Sequence, residues 1–199
     1  MLILYTIMKL SGSYQIKLEK QKVWEALNDP DILKQAIPGC EEFTKNSETE
    51  FTATATNKIG PFNASFTGDI ELSDLNPPNS YKITGSGNSP VGFASGEAKV
   101  KLEDFNNGTK LIYEVEANVG GKIAQVGSRL IDMTAKKMAD IFFGKFSELI
   151  SNDDSSSSEQ ISENKIDQTT EAQPKKQNQK ILIYAGVAAI LAIFIYLFL

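Results

Sequence analysis

The segment that most constrains this chain is Ile181 to Leu199 (ILIYAGVAAILAIFIYLFL), nineteen residues without a charge or a proline. At the ~1.5 Å rise of an α-helix it would reach ~28 Å, close to the hydrocarbon thickness of a bilayer. A buried helix of a soluble core is the competing reading, but such a helix rarely lacks any polar face over this length. The sequence therefore predicts one C-terminal transmembrane helix. Lys175, Lys176 and Lys180 stand just upstream, so the positive-inside rule puts the N-terminal part on the cytoplasmic side of the cell membrane. Tyr184, Tyr196 and Phe198 sit near the two ends of the segment, where interfacial rings are favoured. An anchor that leaves the ribosome last implies a tail-anchored protein whose preceding residues fold first.

What precedes the anchor divides in two. Ser151 to Lys180 opens on Asp153-Asp154-Ser155-Ser156-Ser157-Ser158 and continues mostly in Glu, Gln, Asn and Lys. It holds too little apolar surface to fold and is predicted to be a disordered polar linker over 151–180. The remaining stretch, roughly 150 residues, suffices for one domain with a core of its own. Met1 to Ile150 carries 16 Lys plus Arg against 19 Asp plus Glu, and that balance excludes a nucleic-acid surface. The chain has no histidine and one cysteine, Cys40. It thus lacks the commonest general base and transition-metal ligand, and it can form no internal disulfide. No bound metal and no covalently held cofactor is expected. The opening MLILYTI has neither a basic n-region nor a cleavage site, so it is not a signal peptide; translation from Met1 or from Met8 fits equally.

From Leu10 to Leu18 apolar and polar residues alternate, as in a half-buried strand. Lys20 to Asn28 switches to helical spacing through Val23, Trp24 and Leu27, and Asp29-Pro30 starts a second short helix with Ile32, Leu33 and Ala36 facing inward. Strands are predicted at Cys40 to Lys45, at Glu50 to Asn57, from Phe62 through Leu72, at Tyr81 to Gly85, at Gly92 to Glu103 and at Lys110 to Val119. Asn106-Asn107-Gly108 marks a tight hairpin turn, because Asn and Gly tolerate positive φ. One long helix is predicted from about Lys122 to Leu149, with Ile123, Val126, Leu130, Met133, Met138 and Ile141 on its apolar face and Arg129 on the polar one.

Strand, two short helices, six further antiparallel strands and a long C-terminal helix is the order of the START-like helix-grip fold, an α+β class in which a curved sheet surrounds the helix. Four segments narrow the likeness: Ala36-Ile37-Pro38-Gly39-Cys40; Lys58-Ile59-Gly60-Pro61-Phe62 with Phe66-Thr67-Gly68; Gly92-Phe93-Ala94-Ser95-Gly96; and Gly121 to Leu130 (GKIAQVGSRL). In register over Met8 to Leu149 they resemble the carbon monoxide dehydrogenase CoxG family of the SRPBCC superfamily. That resemblance implies a non-catalytic accessory protein that holds a molybdenum hydroxylase at the membrane and presents a lipophilic ligand such as a quinone to it. A general binder of apolar molecules, or an anchor with no ligand, is the alternative.

Phe62, Ala64, Phe66, Phe93, Gly127, Leu130, Met133 and Met138 are the candidates to line a cavity between sheet and helix. Filling the core is the plainer role for each of them. The small residues Ala53, Ala55, Ala64, Gly68, Ala94, Gly96 and Ala98 at sheet positions favour open space. Arg129, the chain's only arginine, is the candidate contact to a partner carboxylate, through a bidentate geometry that lysine cannot offer. Cys40 reads as a small hydrophobe, since no histidine can activate it. Asp69, Glu71, Glu97, Glu103, Glu114 and Glu116 all fall on outward strand positions. No general acid and base then face an interior site, which argues against an enzyme.

Overall fold

The computed structural model describes residues 5–157. Seven strands, β1 (Tyr5–Ile16), β2 (Cys40–Lys45), β3 (Glu50–Ile59), β4 (Phe62–Asn76), β5 (Ser80–Ser89), β6 (Gly92–Phe105) and β7 (Gly108–Gly121), form one antiparallel sheet in the order β1-β7-β6-β5-β4-β3-β2. Helices α1 (Lys20–Ala26) and α2 (Pro30–Ala36) fill the long connection from β1 to β2, and α3 (Ser128–Ser157) crosses the inner face. This is the predicted helix-grip arrangement.

Local chemistry explains the punctuation. The Asp29 carboxylate accepts from the amides of Asp31 (2.8 Å) and Ile32 (3.2 Å), and Pro30, which has no amide to satisfy, takes the first position of α2. Asn106 and Asn107 adopt φ of 45° and 61°, so the β6–β7 turn twists in the sense its strands require. The alternation read from sequence becomes the inner wall: Phe51, Ala53 and Ala55 on β3, Phe66, Ile70 and Leu72 on β4, and Leu111, Tyr113, Val115, Ala117 and Val119 on β7 are all buried. Their outward neighbours on these strands are solvent-exposed or only partly covered.

Two expectations for the last helix are corrected. It is not continuous from Lys122: residues Ile123–Val126 form one 3₁₀ turn, Gly127 then takes φ 89°, and α3 begins at Ser128. Its buried face is Ile131, Ala135, Ala139, Phe142, Phe143, Phe146 and Ile150, whereas Met133 is 62% and Ile141 42% exposed. The left-handed glycine resets the helical phase, so a wheel drawn from Ile123 does not carry through. The small Ala135 and Ala139 let the helix approach the sheet, and the three phenylalanines fill the wider end. Phe143 stacks on Tyr14 at 3.9 Å between centroids and lies 5.7 Å from Tyr113.

At its other end α3 runs on to Ser157, into the segment expected as linker. The remainder of that segment and the expected transmembrane span 181–199 lie outside the described residues. Among the described residues, no helix is long and apolar enough to cross a membrane.

Candidate functional site

Two concave regions result, one at the start of α3 and one on the outer face of the sheet. At the first, Gly60 (φ 58°) in the β3–β4 turn lies so close to the helix that a β-carbon there would stand 3.1 Å from Leu130 Cδ2 and 3.5 Å from Val126 Cγ1. The Ile123 amide donates to the Val91 carbonyl (3.0 Å), which ties the β5–β6 turn to the same 3₁₀ segment. The Phe93 ring covers Gly120, and a β-carbon on Gly120 would fall 2.2 Å from it. Val91, Phe93, Val126 and Leu130 are each only partly buried, and these side chains rim the end of the grip where two hairpin turns meet the helix.

The expected lining residues divide accordingly. Leu130 and Phe93 stand at this rim, and Phe62 is partly buried in the hairpin beside Gly60. Phe66 is wholly inside, opposite Ala55, and Met138 packs against the core from its edge. Gly127 is exposed with open space around it, and Met133 points to solvent, so neither lies between sheet and helix. Ala64 pairs with Asn57 in the β3–β4 ladder. Arg129 is exposed, on the polar side of α3 as expected.

Between sheet and helix the inner wall is built of small residues. Ala53, Ala55, Ala94, Ala98 and Ala117 are buried on the sheet, and Ala135 and Ala139 on α3. Towards the opposite end of β5 from the rim, Tyr81 is fully buried with its ring edge-on to Trp24 of α1 (5.4 Å). Its hydroxyl has no hydrogen-bond partner among the described residues. Burial raises the pKa of that phenol far above its ordinary value, so the group is a neutral donor awaiting an acceptor. Sequence reasoning passed over Tyr81, because an inward tyrosine in a strand looks like any other aromatic until its neighbours are known.

Tyr14 shows what a satisfied phenol looks like in this fold: its hydroxyl donates to Asp140 Oδ1. Its pKa is raised, by burial first and by Asp140 second. Cys40 is half-buried, and burial pushes its thiol up to about 11. An inert thiol of this kind agrees with the role expected of it.

The second region is an open groove of about 840 Å³ on the outer face of the sheet, running from Glu50 on β3 across to Asn118 on β7. Five carboxylates line it, Glu50, Asp69, Glu71, Glu97 and Glu116, with Ser86, Ser95, Gly85 and Gly96 as its floor. Lys82 bridges Glu97 (2.6 Å) and Lys9 bridges Glu116 (3.1 Å). The Lys82 contact lowers the Glu97 pKa, the opposite of what a general acid needs. Among the described residues no group of three or more His, Cys, Asp or Glu is placed to hold a metal ion. The sequence had shown these carboxylates pointing outward; that the twisted sheet draws them around one hollow depends on strand order.

A seven-stranded antiparallel sheet closed over a C-terminal helix, with two short helices after the first strand, defines a helix-grip binding domain. The family model for the carbon monoxide dehydrogenase protein CoxG matches residues 12–151, and the chain belongs to this family. It is similar to a conserved protein from Geobacillus kaustophilus of known structure, at 32% identity over 73% of this chain and 96% of that one, with a TM-score of 0.70. A putative uncharacterized protein from Rhizobium leguminosarum (13% identity, 76% and 99% covered, TM-score 0.60) shares the fold. So does the ZhuI aromatase/cyclase from Streptomyces sp. R1128 (12% identity, 74% and 95% covered, TM-score 0.55). No functionally curated protein matches the sequence. The Geobacillus chain is almost wholly accounted for by this one domain, and here too the buried core spans only Met8 to Ile150. The domain is a self-contained folding unit.

Proposed function

We propose that this protein is a non-catalytic accessory to a molybdenum hydroxylase of the carbon monoxide dehydrogenase kind. In this reading residues 181–199 hold it in the cell membrane, the domain faces the cytoplasm, and the grip takes up a lipophilic molecule such as a quinone for presentation to the enzyme. The observation that carries the reading is the match of the whole domain to the carbon monoxide dehydrogenase CoxG family.

The interior supports the ligand part. Small residues on both facing walls, and a buried phenol hydroxyl without an acceptor, suit an apolar molecule bearing a carbonyl oxygen. Tyr81 would hold that oxygen, and Phe93 and Leu130 would stand at the entrance. The absence of histidine and the outward placing of the strand carboxylates support a role without catalysis. Tethering then acts through effective concentration, on the order of millimolar for a short linker, so weak affinity for the enzyme suffices.

Loss of the protein should lower quinone-linked oxidation by the hydroxylase in native membranes while dye-linked oxidation in the soluble fraction persists. Crosslinking in those membranes should capture the enzyme. If both activities are unchanged by the loss, the enzyme-accessory reading fails and a general lipid-binding role replaces it. If quinone-linked activity depends on the protein but the domain takes up no quinone or other apolar molecule, the protein is an anchor alone.

A further inference from the structure

The charge on this domain is polarised between two opposite faces, and the outer face of α3 is unlike any other surface of it. Arg129, Met133, Lys136, Lys137 and Ile141 recur at three- and four-residue spacing on the side of the helix turned away from the core, and all are exposed. Of the acidic residues between them, Asp140 is engaged by the Tyr14 hydroxyl, which leaves Asp132. Exposed Met133 and Ile141 among cations have no role in packing, since the helix buries its Ala and Phe stripe on the other side. Apolar tips standing among basic side chains are the makeup of a helix that lies on an anionic lipid surface.

We propose that the outer face of α3 docks on the surface of an anionic bilayer, with Met133 and Ile141 entering the headgroup layer and Arg129, Lys136 and Lys137 pairing with lipid phosphates. The chain that continues from this same helix, residues 158–199, ends in nineteen uncharged residues, so the occupant is available wherever the proposed anchor operates. Orientation follows from the far side of the sheet, where the groove with five carboxylates is repelled by the same lipids. The docked domain brings the rim at Gly60, Val126 and Leu130 to the bilayer, because Leu130 belongs to the first turn of α3. A lipophilic molecule could then pass between membrane and grip without crossing water. The docking gives the ligand role a route and rests on that reading for its purpose; the surface itself can be tested without enzyme, quinone or anchor.

The domain ending at Ser157 is mixed with vesicles of phosphatidylcholine alone or with phosphatidylglycerol added, and sedimentation is measured at low and high salt. Binding is expected only to the anionic vesicles and is lost at high salt. Each of Arg129→Gln, Lys136→Gln and Lys137→Gln should weaken it about fivefold. Met133→Ser with Ile141→Ser should weaken it several-fold, and all these variants keep the parent melting temperature because the sites are exposed. Lys99→Gln with Lys101→Gln, on the outer sheet face, should bind as the parent does. The proposal is overturned if the parent ignores anionic vesicles at low salt, or if the sheet-face lysines matter as much as those of α3. It is also overturned if the α3 variants change self-association on gel filtration while vesicle binding is untouched, which would make this face a contact between copies of the chain.

Discussion

Replacing Phe143 and Met133 by alanine, one at a time, tests which side of α3 grips the sheet. Phe143 is 1% exposed, stacked on Tyr14 at 3.9 Å and edge-on to Phe142 at 5.1 Å. Emptying such a position removes the transfer energy of the ring and leaves a cavity, together about 3–5 kcal/mol. In a domain of this size one kcal/mol moves the melting temperature by about 2–4 °C, so Phe143→Ala should melt roughly 10 °C or more below the parent. Met133 is 62% exposed, and its truncation should stay within about 0.5 kcal/mol. Urea unfolding of the domain followed by tryptophan emission reads both, since Trp24 is buried in the same core. Phe143→Leu keeps most of the volume and should cost less than about 2 kcal/mol, so a measurable transition remains if the alanine variant is too weak to study. A Met133→Ala variant that loses as much as Phe143→Ala would refute the assignment of the buried face, and with it the proposed lipid-facing surface.

Deleting residues 181–199 should move the protein from the membrane pellet to the salt-washed soluble fraction with its melting transition intact; recovery only as aggregate would show that the apolar tail belongs to the fold. Tyr81→Phe should leave the ligand-free domain as stable or up to about 1–2 kcal/mol more stable, because it removes an unpaired buried hydroxyl, while weakening uptake of a quinone; a clear destabilisation would mean that the hydroxyl already has a partner in the free protein. Cys40 should react slowly with iodoacetamide near neutral pH, because burial has raised its pKa from 9.0 to about 11 and only the thiolate attacks. Its rate should climb only as pH passes 9 towards 11, and fast labelling at neutral pH would contradict the half-buried placement.

Much of this protein was legible before any coordinates. Strand alternation, the Asp29-Pro30 cap and the Asn106-Asn107 turn are local signals, set by side-chain period and by φ preferences within a few residues, and each appears in the structure where the sequence put it. The absence of histidine and the outward carboxylates were equally plain. The face of α3 was not, because two of the large apolar residues in that stretch, Met133 and Ile141, are not buried. The core selected a stripe of alanine and phenylalanine instead, where close approach at Ala135 and Ala139 mattered more than hydrophobicity.

Contacts between distant segments were likewise hidden. Gly60 meets Leu130, Tyr14 meets Asp140, and Tyr81 is left with a buried hydroxyl that no described residue accepts from. Period and propensity act along the chain, so the sequence determined which residues could face inward. Which of them touch, which hydroxyl goes unpaired and which carboxylates share a groove depend on strand order and helix placement, and only the folded domain decided those.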